Sequence, residues 1–283
     1  MTQTPPPLLP QTVFRPGAAF DVYRVAPSLD GKRTVAFGAM RIEDAEAGAR
    51  LLEDTCRGMA EEGFEAVIGP MNGDTWHSYR HVIESDGSRP FMLEPPQAPA
   101  QAEAFALAGF STIATYASAR APALGGEAPG SLPDDGVVVA PWDGSNVDGF
   151  LEDIHALCGE AFARNPFYRP LDIGRFEELY RPLISRLDRD LVLFARGPSG
   201  DLLGFVFGYP DMMDPRTAVL KTYASRARGV GRRLLSDFGD KARDKGFDWV
   251  IHALMHEDNE SLDRSARAGG KVFRRYALLG KTL

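Results

Sequence analysis

The sequence has little of what redox or metal chemistry requires. Its 283 residues include two cysteines, Cys56 and Cys158, each within a helix-like segment, which reads as two reduced core thiols rather than a disulfide or a reactive nucleophile. Among the five histidines, His77, His81 and His155 stand at no ligand spacing from another histidine, a cysteine or a carboxylate pair, so no metal site is expected. Long apolar runs are missing too, with nothing approaching the roughly 18 consecutive apolar residues of a membrane span. The stretch MTQTPPPLLPQ lacks the basic start and apolar core of a signal peptide, so a cytoplasmic protein with no membrane partner is expected. Nor is there an excess of positive charge. Lys and Arg number 32 against 39 Asp and Glu, a formal net charge of −7, which argues against a nucleic-acid partner, since phosphate neutralisation needs a basic face. A small-molecule or protein partner remains. With 44% hydrophobic and 25% charged residues, the chain is ordinary globular material, and its length predicts two domains.

What the sequence does contain is a repeat. Residues 50–68, RLLEDTCRGMAEEGFEAVI, and residues 233–251, RLLSDFGDKARDKGFDWVI, align without a gap at an offset of 183, with eight of nineteen positions identical. The identities include Leu51/Leu234, Leu52/Leu235, Gly63/Gly246 and Phe64/Phe247. Each copy reads as an amphipathic helix, a glycine stop and a short apolar strand. A second match, at an offset of 160, pairs Ala108, Gly109, Tyr116 and Ala117 with Ala268, Gly269, Tyr276 and Ala277, so the first half carries 23 extra residues between the blocks. The segment 119–136, ARAPALGGEAPGSLPDDG, is rich in Ala, Pro and Gly without apolar period and reads as a linker. The expected division is a first domain over 1–122, a linker over 123–136 and a second domain over 137–283.

In the second half the pattern predicts strand 137–141, helices 147–163 and 172–186, strands 190–196, 202–209 and 217–223, helix 230–245, strand 248–254, helix 259–268 and strand 271–279. The turn PSGD at 198–201 fits a hairpin, and the later strand-helix-strand step fits a crossover. The expected fold class is therefore α/β with a mixed sheet.

Between the strand TAVLKTYA and its following helix lies SRARGVGRR. A strand that ends in a glycine loop and opens a helix presents unpaired N–H groups and the positive end of the helix dipole to one spot, which suits a phosphate. Glycines let the backbone approach, and Arg226, Arg228 and Arg232 add charge for a polyanion. The Gly-Lys-Ser/Thr of a P-loop and the three glycines of a dinucleotide fingerprint are both absent.

Arg226-x-x-Gly229-x-Gly231 resembles the Arg/Gln-x-x-Gly-x-Gly/Ala loop of the GNAT acetyltransferases. So do its setting, the strand WVIHALM at 249–255, the asparagine-led Asn259-Glu260-Ser261 and the closing RRYALLGKTL. The resemblance covers nearly all of 137–283 and, less clearly, 14–118. It implies two tandem GNAT-like domains, each a mixed, mostly antiparallel sheet flanked by helices. It also implies that acetyl-CoA or another acyl-CoA binds at Thr222, Tyr223, Arg226, Arg228, Gly229, Val230, Gly231, Arg232 and Asn259. The sequence departs from the family at two places. The loop before Arg226 is short, and the tyrosine usual in the helix after the asparagine falls on Ala266.

At the offset of 183 the loop of the second half falls on Glu43, Ala45, Glu46 and Gly48, which replace Arg226, Arg228, Gly229 and Gly231. Each like charge close to a pyrophosphate costs on the order of 1 kcal/mol, so the first half is expected not to bind CoA. Its extra stretches, GPMNGDTWHSYR (69–80) and LEPPQ (93–97), resemble those of degenerate N-terminal GNAT repeats and imply a structural or substrate-shaping role.

A GNAT-like reaction needs a neutral amine held near a thioester whose carbonyl is polarised by an N–H. Candidates for proton transfer are His256 and Glu257, with Asp258 beside them just past a strand end, and Tyr276 near the chain end. His252 alternates with apolar residues in its strand, and RNPFYRP (164–170) lies where the resemblance implies acceptor contacts. The expected activity is acetyl transfer from acetyl-CoA to a primary amine of a small molecule or protein, by a monomer or homodimer. Two alternatives stand beside it: an acyl or aminoacyl transferase with another donor, and a non-catalytic acyl-CoA-binding or interaction protein.

Overall fold

Alternating apolar residues make the strands, and three-to-four spacing makes the helices that cover them. In AAFDVY the alternate residues Ala18, Phe20 and Val22 are buried, and in the helix from Val230 the residues Leu234, Phe238 and Ala242 are wholly so. The computed structural model describes residues 9–123 and 136–283; most of the expected linker, 124–135, lies outside them. The first half comprises β1 (Gln11–Arg15), β2 (Ala18–Tyr23), β3 (Thr34–Ile42), α1 (Ala45–Glu61), β4 (Ala66–Gly69), β5 (His81–Ser85), α2 (Pro99–Leu107) and β6 (Ser111–Pro122). The second comprises β7 (Val138–Pro141), α3 (Val147–Phe162), α4 (Ile173–Tyr180), β8 (Val192–Arg196), β9 (Leu202–Pro210), β10 (Thr217–Ser225), α5 (Val230–Asp244), β11 (Trp249–His256), α6 (Glu260–Arg267) and β12 (Lys271–Thr282). The single helix expected over 172–186 breaks into α4 and a 3-10 turn over Arg181–Arg186, because Pro182 has no N–H to donate.

The described strands form one 12-stranded sheet in the order β1-β2-β3-β4-β12-β6-β11-β10-β9-β8-β7, with β5 also on β12. Its centre is symmetric. Strand β3 runs parallel to β4 with Thr34 opposite Ala66, and β10 runs parallel to β11 with Thr217 opposite Trp249; both pairs are related by the offset of 183. Helices α1 and α5 make the equivalent crossovers. Each half gives up its last strand to the other: β12 pairs with β4, β6 pairs with β11, and the two exchanged strands pair with each other. Tyr116 and Tyr276, equivalent residues of the repeat, are direct partners in that central pair, so the pseudo-twofold axis passes between them. The halves thus share one continuous sheet, where two sheets, one per half, were expected.

Helices cover this sheet in three places. Helices α1 and α2 pack Leu52, Cys56, Met59 and Phe105 on Phe20, Phe37 and Val67. On the second half, α5 covers one face through Leu234 and Phe238 on Leu193, Val206 and Leu220. Helices α3 and α4 cover the other, where Leu151, Leu157 and Phe176 meet Val192 and Phe205.

Candidate active site

The loop between β10 and α5 has the local structure that its sequence predicts. Gly229 is the residue before the helix, with φ 85°, a conformation that costs an ordinary residue about 1–2 kcal/mol. It offers no side chain to cap the helix; in the first turn the Val230 N–H meets the Ala227 carbonyl at a long 3.4 Å and the Arg232 N–H meets the Gly229 carbonyl at 3.2 Å, so no side chain covers this end of the helix. Arg228 and Arg232 are exposed and have no carboxylate partner among the described residues. Arg226 lies 3.3 Å from Glu160 at the end of α3. A fourth guanidinium, unforeseen from the sequence, belongs to Arg264 of α6: a Cβ at Gly231 would stand 3.0 Å from its Nη1 and 3.5 Å from the ring of Tyr223. Asn259 leads α6 without capping it through its side chain. Tyr223 is half-buried in the α5 core, Val230 is buried there, and Thr222 is half-buried. Arginines from two elements therefore converge on one helix N-terminus in a chain of net negative charge.

Beyond this loop the sheet opens. The parallel pairing of β10 with β11 runs only from Thr217 to Leu220 against Trp249 to His252. After it β10 keeps only β9, with a bulge at Lys221, and β11 keeps only β6, with a bulge between His252 and Met255 where Leu254 has φ 58°. Two loops of the first half close on this opening. Arg80, at the end of the first, donates from Nη1 to the Leu254 carbonyl (3.1 Å) and lies over the rings of Tyr79 and Tyr116. Phe91, in the second, packs with Tyr209, Val219 and Ile251. The side chain of Glu94, in the same loop, is wholly buried, bonded by Arg274 and by the Tyr276 hydroxyl. Burial raises the Glu94 pKa against the pull of these partners.

The three residues expected to move protons are placed differently from one another. His256 ends β11, edge-on to Tyr116 at 5.0 Å between ring centroids, with Nδ1 accepting from the Asp258 N–H and Nε2 buried without a partner among the described residues. Burial, and then the Arg80 guanidinium, lower its pKa against the pull of Asp258. Glu257 pairs with Arg275. Tyr276 is fully buried at the pseudo-twofold axis, 3.0 Å from Ser118 Oγ and donating to Glu94, and burial raises its pKa strongly. Tyr276 was expected as a candidate acid in a strand near the chain end; strand exchange draws that strand, and the residue with it, into the centre of the sheet.

At the equivalent opening in the first half the chain fills the gap itself. The Met71 N–H donates to the Phe37 carbonyl (2.8 Å), prolonging the parallel pair, and Asn72 Oδ1 accepts from the Ala39 N–H at 2.7 Å. Ala39 is the counterpart of Thr222, and Gly38 that of Lys221. A Cβ at Gly38 would collide with the Met71 carbonyl and Asn72 Oδ1. The N-terminus of α1 is likewise occupied, with Asp44 accepting from the Ala47 N–H at 2.8 Å and Glu46 in the first turn.

The remaining histidines and cysteines have structural surroundings. His252 is buried, 2.7 Å from Ser265 Oγ, and burial lowers its pKa to about 4. His155 meets the Leu171 carbonyl at 2.8 Å, His81 is buried, and His77 pairs with Asp74 at 2.7 Å, which raises its pKa. Burial raises Cys56 to about 11 and Cys158 to about 12, far from the values of reactive thiols. In the 164–170 segment Tyr168 lies 5.7 Å from the ring of Trp76, and Trp76 Nε1 donates to the Arg169 carbonyl at 2.8 Å.

No family profile and no curated protein matches this sequence. Solved structures do. A GCN5-related N-acetyltransferase from Sphaerobacter thermophilus superposes with a TM-score of 0.60 over 94% of this chain and 76% of its own, at 15% identity. A tandem GNAT protein from the clavulanic acid biosynthesis pathway gives 0.54 over 94% and 78%, at 14% identity. A glucosamine N-acetyltransferase region of a fungal multi-domain β-N-acetylglucosaminidase gives 0.54 over 93% of this chain and 31% of its own, at 12% identity. The fold is therefore the GNAT N-acetyltransferase fold, in tandem. Identities this low establish the fold and leave the chemistry to the site. Among the described residues no helix is long and apolar enough to cross a membrane.

Proposed function

We propose that this chain is an acyl-CoA-dependent N-acyltransferase that moves an acetyl group from acetyl-CoA to a primary amine of a small molecule or protein, with one donor site, in the second half. We assign it to the cytoplasm, as a monomer or homodimer. The observation that carries this reading is the pairing of an uncapped, arginine-ringed helix N-terminus with an open parallel strand pair in the second half, where the first half has both places filled. The pyrophosphate binds at 226–232, with Arg264 a further cation. The pantetheine arm lies in the gap between β10 and β11, where an N–H at the bulge of β10 can polarise the thioester carbonyl. The two loops of the first half wall the acceptor side, so the degenerate half shapes the substrate.

Of the proton-transfer candidates, His256 has a ring nitrogen without a partner among the described residues and is the carrier in this reading. Tyr276, whose proton is committed to Glu94, is a positioning residue. That commitment, with Ala266 in the usual tyrosine place, is also what favours the second reading, a binder of acyl-CoA without turnover. A melting scan with acetyl-CoA, CoA and ATP tests the donor site. At about 100 times the dissociation constant a ligand stabilises the fold by roughly 2.7 kcal/mol, and both CoA species should raise the melting temperature while ATP should not. No shift with either CoA species overturns the assignment. CoA release on adding amines separates transferase from binder.

A further inference from the structure

At Lys221 the two halves differ in the chemistry they place at the strand opening. Its counterpart, Gly38, lies where a side chain has no room. Lys221 stands at the bulge of β10, at the point where the strand parts from β11, half-buried and with no hydrogen-bond or ion-pair partner among the described residues. The charged groups that act on it come from the two loops of the first half. Arg80 is taken up by the Leu254 carbonyl and two tyrosine rings, and Glu94 by Arg274 and Tyr276. Burial first, then the Arg80 guanidinium, lower the Lys221 pKa to about 7, against an opposing pull from Glu94. An ammonium otherwise protonated at neutral pH is there partly amine.

Distance places this amine at the reacting end of a donor. From Lys221 to Ser225, where the phosphate loop begins, β10 spans about 13 Å at 3.3 Å per residue. The two amide units of a pantetheine arm cover such a span when extended. A thioester whose pyrophosphate is held at 226–232, and whose arm runs along the open edge of β10, arrives beside Lys221.

We propose that Lys221 is a self-acylation site: its Nζ attacks the thioester carbon of the bound acyl-CoA, a C–N bond forms and the C–S bond breaks. The proton lost from nitrogen goes to the departing thiolate, and the products are Nε-acyl-lysine and free CoA thiol. This rests on the acyl-CoA reading above. The amide removes the titrating amine and places an acyl group in the opening, so self-acylation competes with transfer to an acceptor and silences the chain when acceptor is scarce.

The test is peptide mass analysis of the full chain after incubation with acetyl-CoA and no amine, between pH 6 and 9, beside calorimetry with plain CoA. One acetyl group should appear on Lys221, with a rate that rises through pH 7 and levels off, on the order of a hundredfold faster at pH 7.5 than on the exposed Lys271. Lys221→Arg should lose the fast reaction and keep CoA binding. If CoA binds but Lys221 is acetylated no faster than Lys271, the inference falls and the acyl-CoA reading stands. If CoA does not bind, both fall.

Discussion

At the residue scale the two halves are a comparison of nearly the same backbone with opposite side chains. Gly229 leaves the start of α5 open, whereas Asp44 and Glu46 close and charge the start of α1. Substituting Gly229 by Glu should abolish the calorimetric heat of CoA binding, because a carboxylate would stand at the phosphate position and the backbone there has φ 85°; retained far-UV dichroism would show that the loss is not unfolding. Glu46→Gly should leave affinity and stoichiometry unchanged, since its loop is filled by its own chain. Binding by Gly229→Glu at wild-type affinity would move the donor site elsewhere. The contrast between these loops was legible in the sequence because backbone-amide anion sites depend on local residues, glycine and arginine within one turn. Lys221 was not read as a site residue: a lone lysine in an apolar strand is visible, but the groups that lower its pKa come from residues 80 and 94.

At the element scale the 23 extra residues of the first half do two separate jobs, one on each side of β5. The loop before β5 closes the opening of its own half with Met71 and Asn72, then inserts Trp76 among Tyr168, Phe176 and Tyr180 of the other half. The loop after β5 lays Phe91 and Met92 on the β9–β11 face, where Tyr209 donates to the Met92 carbonyl at 2.7 Å. Trp76→Ala removes an aromatic anchor held by three rings and one hydrogen bond, and should cost about 3 kcal/mol of stability, read as a fall in the denaturant midpoint. If CoA binds at 226–232, its affinity should hardly change, because the ring and hydrogen-bond partners of the Trp76 side chain lie at Tyr168, Arg169, Phe176 and Tyr180. A midpoint within experimental error of wild type would mean that the loop is only loosely seated on α3 and α4. The stretches 69–80 and 93–97 were expected to have a structural or substrate-shaping role, but nothing local in them showed that one plugs its own half.

At the scale of the whole molecule, strand exchange makes the halves interdependent. Without the second half, β4 and β6 lose β12, the strand between them; without the first, β11 loses β6. Exposed sheet edges of this kind seek partners. Chains 1–123 and 136–283 made separately should therefore be insoluble or self-associated, and should recover a soluble one-to-one complex when made together, as seen by size-exclusion chromatography. Two separately monomeric, cooperatively unfolding halves would contradict the exchanged sheet. The restored complex should bind a single CoA.

The sequence by itself determined the repeat, the helix-glycine-strand unit of both copies, most elements of the second half, and the acidic residues that stand in the first half where Arg226 and Gly229 stand in the second. These follow from apolar period, glycine placement and charge, all of which act over a few residues. Only the tertiary structure decided which sheet each final strand would join, that Tyr276 would be buried against Tyr116 on a pseudo-twofold axis, and that Arg80 and Glu94 would face Lys221. Those outcomes depend on pairing between segments more than a hundred residues apart, and a strand's pattern of buried and exposed residues is the same whichever copy of an equivalent edge it completes.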